Sequence, residues 1–296
     1  MSKYTHFPNR ITSGGVPIIG GGNSIPVKIN GKYLIVDSNG GGDYLTLDGA
    51  VNVASSGDVI MLAEGHSESI ASATSLVIDV AGIEIIGLGV GNKRPKFTFD
   101  ATASRIPISA DDVKISNLVF MCSIASIVSG VTVTGANVEI ENCEWNLDAT
   151  GLEFLQMLDL DTADNAHIVG CKFVAENIAG CNNAIRIDVS PGAMIEHCTF
   201  RGDYTTAVIT GVAGSAAASV DIQVSNNLIE NKDTTAGVCI DMTDTSTGII
   251  NDNRMFTLYA TDVSAPFDPG NCLCIENYVV NAVDETGVIS PTTPSA

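Results

Sequence analysis

The stretch VTVTGANVEIENCEW, residues 131–145, decides the fold. Val131–Thr134 alternates as a short strand, Gly135–Asn137 is a turn cluster, and Val138–Glu141 is a second strand. Asn142 is a one-residue corner, and a third strand begins at Cys143. AIRIDVSPGAMIEHCTF (184–200) and VCIDMTDTSTGIINDNRMF (238–256) repeat the pattern. Its kernel is a β-branched anchor, any residue, then Asn, Asp, Gly or His. The anchors are Ile85, Ile115, Ile140, Ile168, Ile195, Val224, Ile250 and Ile275, in steps of 30, 25, 28, 27, 29, 26 and 25. Corner residues follow at Gly87, Asn117, Asn142, Gly170, His197, Asn226, Asp252 and Asn277.

Self-similarity at this period marks a solenoid, whose repeats bury their apolar faces only by stacking. No unit sustains a helical apolar stripe over three turns, and Pro191 with its neighbouring glycines would interrupt one. Three short strands per coil, each paired to its counterpart one coil on, give an all-β, right-handed, single-stranded parallel β-helix. At about 4.8 Å per coil, eight to ten coils span roughly 40–45 Å. A sharp corner needs left-handed backbone geometry, which Asn, Asp and Gly enter most readily.

The register makes further claims. Cys143, Cys171 and Cys198 each follow a corner, so their thiols should stack inward, reduced and buried. Leu118 holds that slot one coil before, and Asn227, Asn253 and Tyr278 hold it after. Side-by-side neighbours in a parallel ladder fit bridge geometry badly. Trp145, Phe173 and Phe200 share another inward slot. The eight cysteines form no disulfide framework, and Cys272 and Cys274 are a CxC without partners, so neither metal nor cofactor is expected.

With net charge −20, 16% charged residues and 5% aromatics, the chain is poorly suited to nucleic acid, whose phosphates it would repel. GNKRPK (91–96) is expected to be a solvated turn. SLVIDVAGIEIIGLGVG (75–91), the most apolar run, carries Asp79 and Glu84, so no membrane span is expected, and no signal peptide either. Residues 1–28 are Gly/Pro-rich and aperiodic, an arm expected to be flexible or ordered by a partner. Residues 29–280 form the β-helix, and 281–296 an extended tail. LTLDGAVNVA (45–54), with Leu45, Leu47, Ala50, Val51 and Ala54 on one side, predicts a short helix shielding the first coil's unpaired edge.

This helix, the following GD and the strand after it resemble the N-terminal cap of the pectin-lyase-like β-helix superfamily, and IENCEW and IEHCTF resemble its coils. That resemblance covers roughly residues 31–280 and implies fold rather than activity. GGVPIIGGG and DSNGGGDYLTLDGAV also look like virion proteins of tailed bacteriophages. This second resemblance implies a homotrimer attached to a major capsid protein or another virion protein, located in the virion after assembly in the bacterial cytoplasm. The arm residues assigned to anchoring are His6, Phe7, Pro8, Arg10, Val16, Pro17, Ile18 and Ile19. The small residues of VAGSAAASV (212–220) would suit packing against a sister subunit.

One constellation could carry chemistry. Asp159, Arg186 and Asp241 lie nine residues before their anchors, and Asp161, Asp188 and Thr243 lie seven before. Stacking sets Asp159 beside Arg186 and Asp161 beside Asp188 on an outward face. Two neighbouring carboxylates with an arginine could serve glycoside hydrolysis or hold a cation for a lyase. Outward strand positions must be polar in any case, and the fuller residue sets of such enzymes are missing. The structural role, a capsid decoration (cement) protein, is therefore set ahead of a tail spike that binds or degrades a host surface glycan. His66, His167 and His197 are expected to be isolated, with His197 a hydrogen-bonded turn residue.

Overall fold

The computed structural model describes residues 31–289 apart from 148–150, 177–179, 213–218, 236, 244, 259–265 and 282–285. Of the first thirty residues it describes 6–7, 10–13 and 16–18. The chain is a right-handed parallel β-helix of about eight coils with three sheets. The first sheet runs from Tyr33–Val36 to Leu273–Ile275, the second from Ser67–Ile70 to Asn277–Val280, and the third from Ile106–Ile108 to Phe267–Asp268. Strands pair in parallel with the same element one coil away. The exception is Thr286–Ile289, which folds back antiparallel on Asn277–Val280 and closes the second sheet.

The anchors stack as the spacing predicts. Ile85 pairs with Ile115, which pairs with Ile140, and the column continues through Ile168, Ile195, Val224 and Ile250. The predicted column fails at its last member. Ile250 pairs with Cys274, Ile275 turns outward, and Glu276 rather than Asn277 takes the left-handed corner at φ 51°. The first corner also differs. Gly87 ends a strand, and its value there is space, because a Cβ would meet the Asn117 carbonyl oxygen at 2.3 Å. The other corners are left-handed, from Asn117 at φ 61° to Asp252 at φ 55°.

The interior is built of stacked columns of buried side chains. Phe97, Phe120, Trp145, Phe173 and Phe200 stack across five coils with centroid separations of 6.1, 4.8, 4.6 and 4.9 Å, a longer row than the three predicted. Cys143, Cys171 and Cys198 are free and buried, and Leu118 precedes them. Asn227, Asn253 and Asn277 continue that column, replacing Tyr278, which is 55% exposed. Each asparagine amide reaches the next: Asn227 Nδ2 donates to Asn253 Oδ1 at 3.0 Å and Asn253 Nδ2 to Asn277 Oδ1 at 2.9 Å.

A second polar ladder precedes the first sheet and escaped the sequence reading. Asp112, Asn137, Asn165 and Asp221, each three residues before an anchor, also adopt positive φ. Asn137 Nδ2 donates to Asp112 Oδ1 at 3.0 Å, and Asn165 Nδ2 donates to Asn137 Oδ1 at 3.2 Å.

The N-terminal helix is shorter than the predicted 45–54. Thr46 caps Leu47–Val51 with its hydroxyl, so Leu45 lies outside it and is 60% exposed. Leu47, Ala50 and Val51 are buried in the core. In the arm, His6–Phe7, Arg10–Ser13 and Val16–Ile18 pair as an antiparallel sheet, while Pro8, Ile19 and most of 212–220 lie outside the described residues.

Candidate functional site

The third sheet brings the predicted acidic constellation together. Asp159 pairs with Arg186 and Asp161 with Asp188. Arg186 then pairs with Thr210, Thr210 with Asp241, and Asp241 with Asp268. Thr210 is fourteen residues before its anchor, not nine, because the turn into the next strand is longer in that coil. Asp241 therefore stands two rungs from Arg186.

Arg186 bridges its own neighbours. Its Nη1 donates to Asp159 Oδ1 at 2.7 Å and its Nη2 to Asp188 Oδ2 at 2.9 Å. Burial pushes the Asp159 carboxyl above the usual range, outweighing the pull of Arg186 in the other direction. For Arg186, burial opposes the charge, but its two carboxylate partners prevail and hold it protonated. Asp241 is likewise raised, by burial and by Asp268 beside it. The chemistry available is a bridged, partly desolvated carboxylate pair: Asp159 has heightened proton affinity, and each Nη of the guanidinium holds one carboxylate.

Other polar groups were not legible as pairs. His66 is fully buried, not isolated. Its Nδ1 accepts from the Ser38 backbone N–H at 3.0 Å, so the ring proton lies on Nε2, 2.6 Å from Glu68 Oε1. Glu68 also accepts the Leu47 N–H, which ties the cap helix to the second sheet. His167 lies 3.3 Å from Glu196. His197 is an exposed corner residue at φ 54°. Within GNKRPK, Arg94 is not a solvated side chain. It pairs with Glu144 at 3.0 Å and donates to the Leu118 and Asn142 carbonyls, clasping neighbouring coils. Glu153 is buried with Oε1 taken by Ser126 and Oε2 unpartnered. A signal existed only for His66 and Glu68, which are alternate residues on one strand face.

Among the described residues no group of three or more His, Cys, Asp or Glu is placed to hold a metal ion, and no helix is long and apolar enough to cross a membrane.

The fold is that of the right-handed parallel β-helix proteins whose solved members include pectin-modifying enzymes. Pectate lyase Pel9A superposes with a TM-score of 0.50 at 13% identity, over 85% of this chain and 77% of its own. Pectin methylesterase from carrot superposes with a TM-score of 0.53 at 12% identity, over 87% and 85%. ORF18 of Geobacillus virus E2 overlaps 76% of this chain and 53% of its own at 13% identity, with a TM-score of 0.30. The pectate lyase and the methylesterase establish the architecture alone. No protein-family model and no curated protein matches the chain.

Proposed function

We propose that this chain is a structural component of a bacteriophage particle, a rigid β-helix that assembles as a homotrimer and is held to a capsid protein by residues 1–28. The observation that carries the non-catalytic part is the closed Asp159–Arg186–Asp188 bridge. Arg186 gives two of its five N–H donors to Asp159 and Asp188 and neutralises charge between neighbouring rungs, the arrangement of a structural ion-pair network. The virion part rests on the sequence resemblance of the arm and cap. Several arms acting together would give strong attachment from weak individual contacts.

A second reading, polysaccharide cleavage on this face, draws on the raised proton affinity of Asp159, on half-exposed Asp161, and on the sharing of the fold with a pectate lyase. Two measurements test the proposal. Sedimentation should give a particle of three 30.7 kDa chains, and deletion of residues 1–28 should leave the rod folded but absent from purified particles. Sugar release from a polysaccharide panel that vanishes in Asp161→Asn and Asp188→Asn would replace the structural reading with the enzymatic one.

A further inference from the structure

The corner between the first and second sheets carries a hollow in its last coils. It has a volume of about 410 Å³ and is lined, among others, by His197, Asn226, Asp252, Glu276, Arg254 and Tyr278. Four of these come from one column: His197, Asn226, Asp252 and Glu276 are successive left-handed corner residues. The left-handed backbone turns each of their side chains out of the coil. Arg254 and Tyr278 are rung mates on the adjoining strand, so the guanidinium and the phenol stand side by side next to that column.

We propose that this hollow binds a neutral oligosaccharide. Its polar groups differ from those of the Asp159–Arg186–Asp188 face in one decisive way: they are not spent on each other. Among the described residues the side chains of His197, Arg254, Glu276 and Tyr278 make no hydrogen bond or ion pair, although Asp252 and Glu276 share the hollow with Arg254. Asp252 has a single partner, Asn251, at 2.6 Å. The acceptors Asp252 and Glu276, stacked at the coil spacing of about 4.8 Å, thus stand beside the donors Arg254 and Tyr278 of the adjoining strand on an open surface. That pattern suits the hydroxyls of consecutive sugar rings, which both give and accept hydrogen bonds. Tyr278, 55% exposed, offers a flat ring for the C–H face of a sugar.

The charge balance selects against acidic ligands. Two carboxylates face one guanidinium here, and the whole chain carries −20. The hollow is open and its lining mixes these polar groups with exposed Leu228, a surface that fits the polar edges and apolar faces of sugar rings. It lies around the corner from the third sheet, so it is a separate site from the acidic face. It stands whether or not the rod belongs to a particle.

The test is a glycan array displaying neutral and uronic-acid oligosaccharides side by side, probed with the labelled full-length chain and followed by titration of the spots retained. Expected are retention on neutral members, at least a tenfold loss with Tyr278→Ala or Arg254→Ala, and partial rescue with Tyr278→Phe. Asp188→Asn on the third sheet should bind as the parent does. Both substituted positions, Arg254 and Tyr278, are exposed, so far-ultraviolet circular dichroism of the variants should match the parent. Absence of binding to every neutral glycan, preference for the uronic-acid members, or undiminished binding by Tyr278→Ala would each overturn the proposal.

Discussion

Replacing Asn253 with leucine should loosen the last coils of the rod while leaving the first ones protected. Asn253 is fully buried, and leucine keeps its branching and heavy-atom count while removing every hydrogen bond of the side chain. Asn253 Oδ1 accepts from the Asn227 backbone N–H at 3.1 Å and from its Nδ2 at 3.0 Å. Asn253 Nδ2 donates to the Val224 carbonyl at 2.9 Å and to Asn277 Oδ1. Leucine removes the acceptor of the Asn227 N–H and the amide donor to the Val224 carbonyl, both buried, at about 1–3 kcal/mol each. Asn277 Oδ1 keeps the Asn253 N–H, and Asn227 Nδ2 keeps the Ile195 carbonyl. Apolar burial of leucine returns roughly 2 kcal/mol. The net loss is about 0–4 kcal/mol and centres near 2, a large share of the 5–15 kcal/mol typical of whole domains. A solenoid couples mainly nearest neighbours, so the loss should be local. Hydrogen exchange read by mass spectrometry should show faster exchange over Ile222–Val280 and none over Glu84–Cys122. Asn253→Cys should fall between parent and leucine, because upstream Cys198 already points its thiol at the Ile168 carbonyl. Equal loss along the whole rod, or slower exchange than the parent over the last coils, would overturn this account.

Three more outcomes are expected. Trp145→Ala should cost about 3–5 kcal/mol by emptying the middle of the aromatic stack. Trp145→Phe should cost little, since it also removes a buried Nε1 without a partner; urea unfolding of both variants decides. Mild acidification should stabilise the fold: burial holds Asp159, Asp203 and Asp241 above the ordinary 3.8, so protons bind the native chain before the unfolded one. Urea midpoints should therefore rise as pH falls from 7, with the gain complete only below 3.8, and Asp203→Asn should flatten that rise. Thiol labelling at neutral pH should be slow everywhere and fastest at half-buried Cys122, whose thiol burial pushes up to about 11. Cys239 and Cys272, pushed up to about 12, should label only as the chain unfolds, which timed alkylation with peptide mapping would check.

Most of the architecture was legible because pairing in this fold is between equivalent positions. A column of β-branched anchors fixes register for all three strands of a coil, and the cysteine and aromatic columns followed from it. The rule failed where the local text supports two registers. Cys274 and Ile275 are both apolar, and Asn277 suits either a corner or the buried amide ladder. Counting spacings chose Ile275 and Asn277 as anchor and corner; strand pairing chose Cys274 and Glu276. Thr210 was missed for a related reason, since distance counted back from an anchor fails across a turn of unusual length. The acidic face was found because its members lie on one strand row. The bridging geometry of Arg186 was not legible, because a rung position says nothing about which rotamer a long side chain selects. The pairing of His167 with Glu196 spans 29 residues and needed the coordinates.

The reversal at the tail bears on solubility. Every parallel ladder ends in a row of free amide and carbonyl groups that another rod's first coil could extend, giving fibres of unlimited length. Because Thr286–Ile289 runs opposite to its neighbour, the second sheet presents a strand of the wrong polarity to any newcomer. Head-to-tail polymerisation is thereby discouraged along that wall by direction alone.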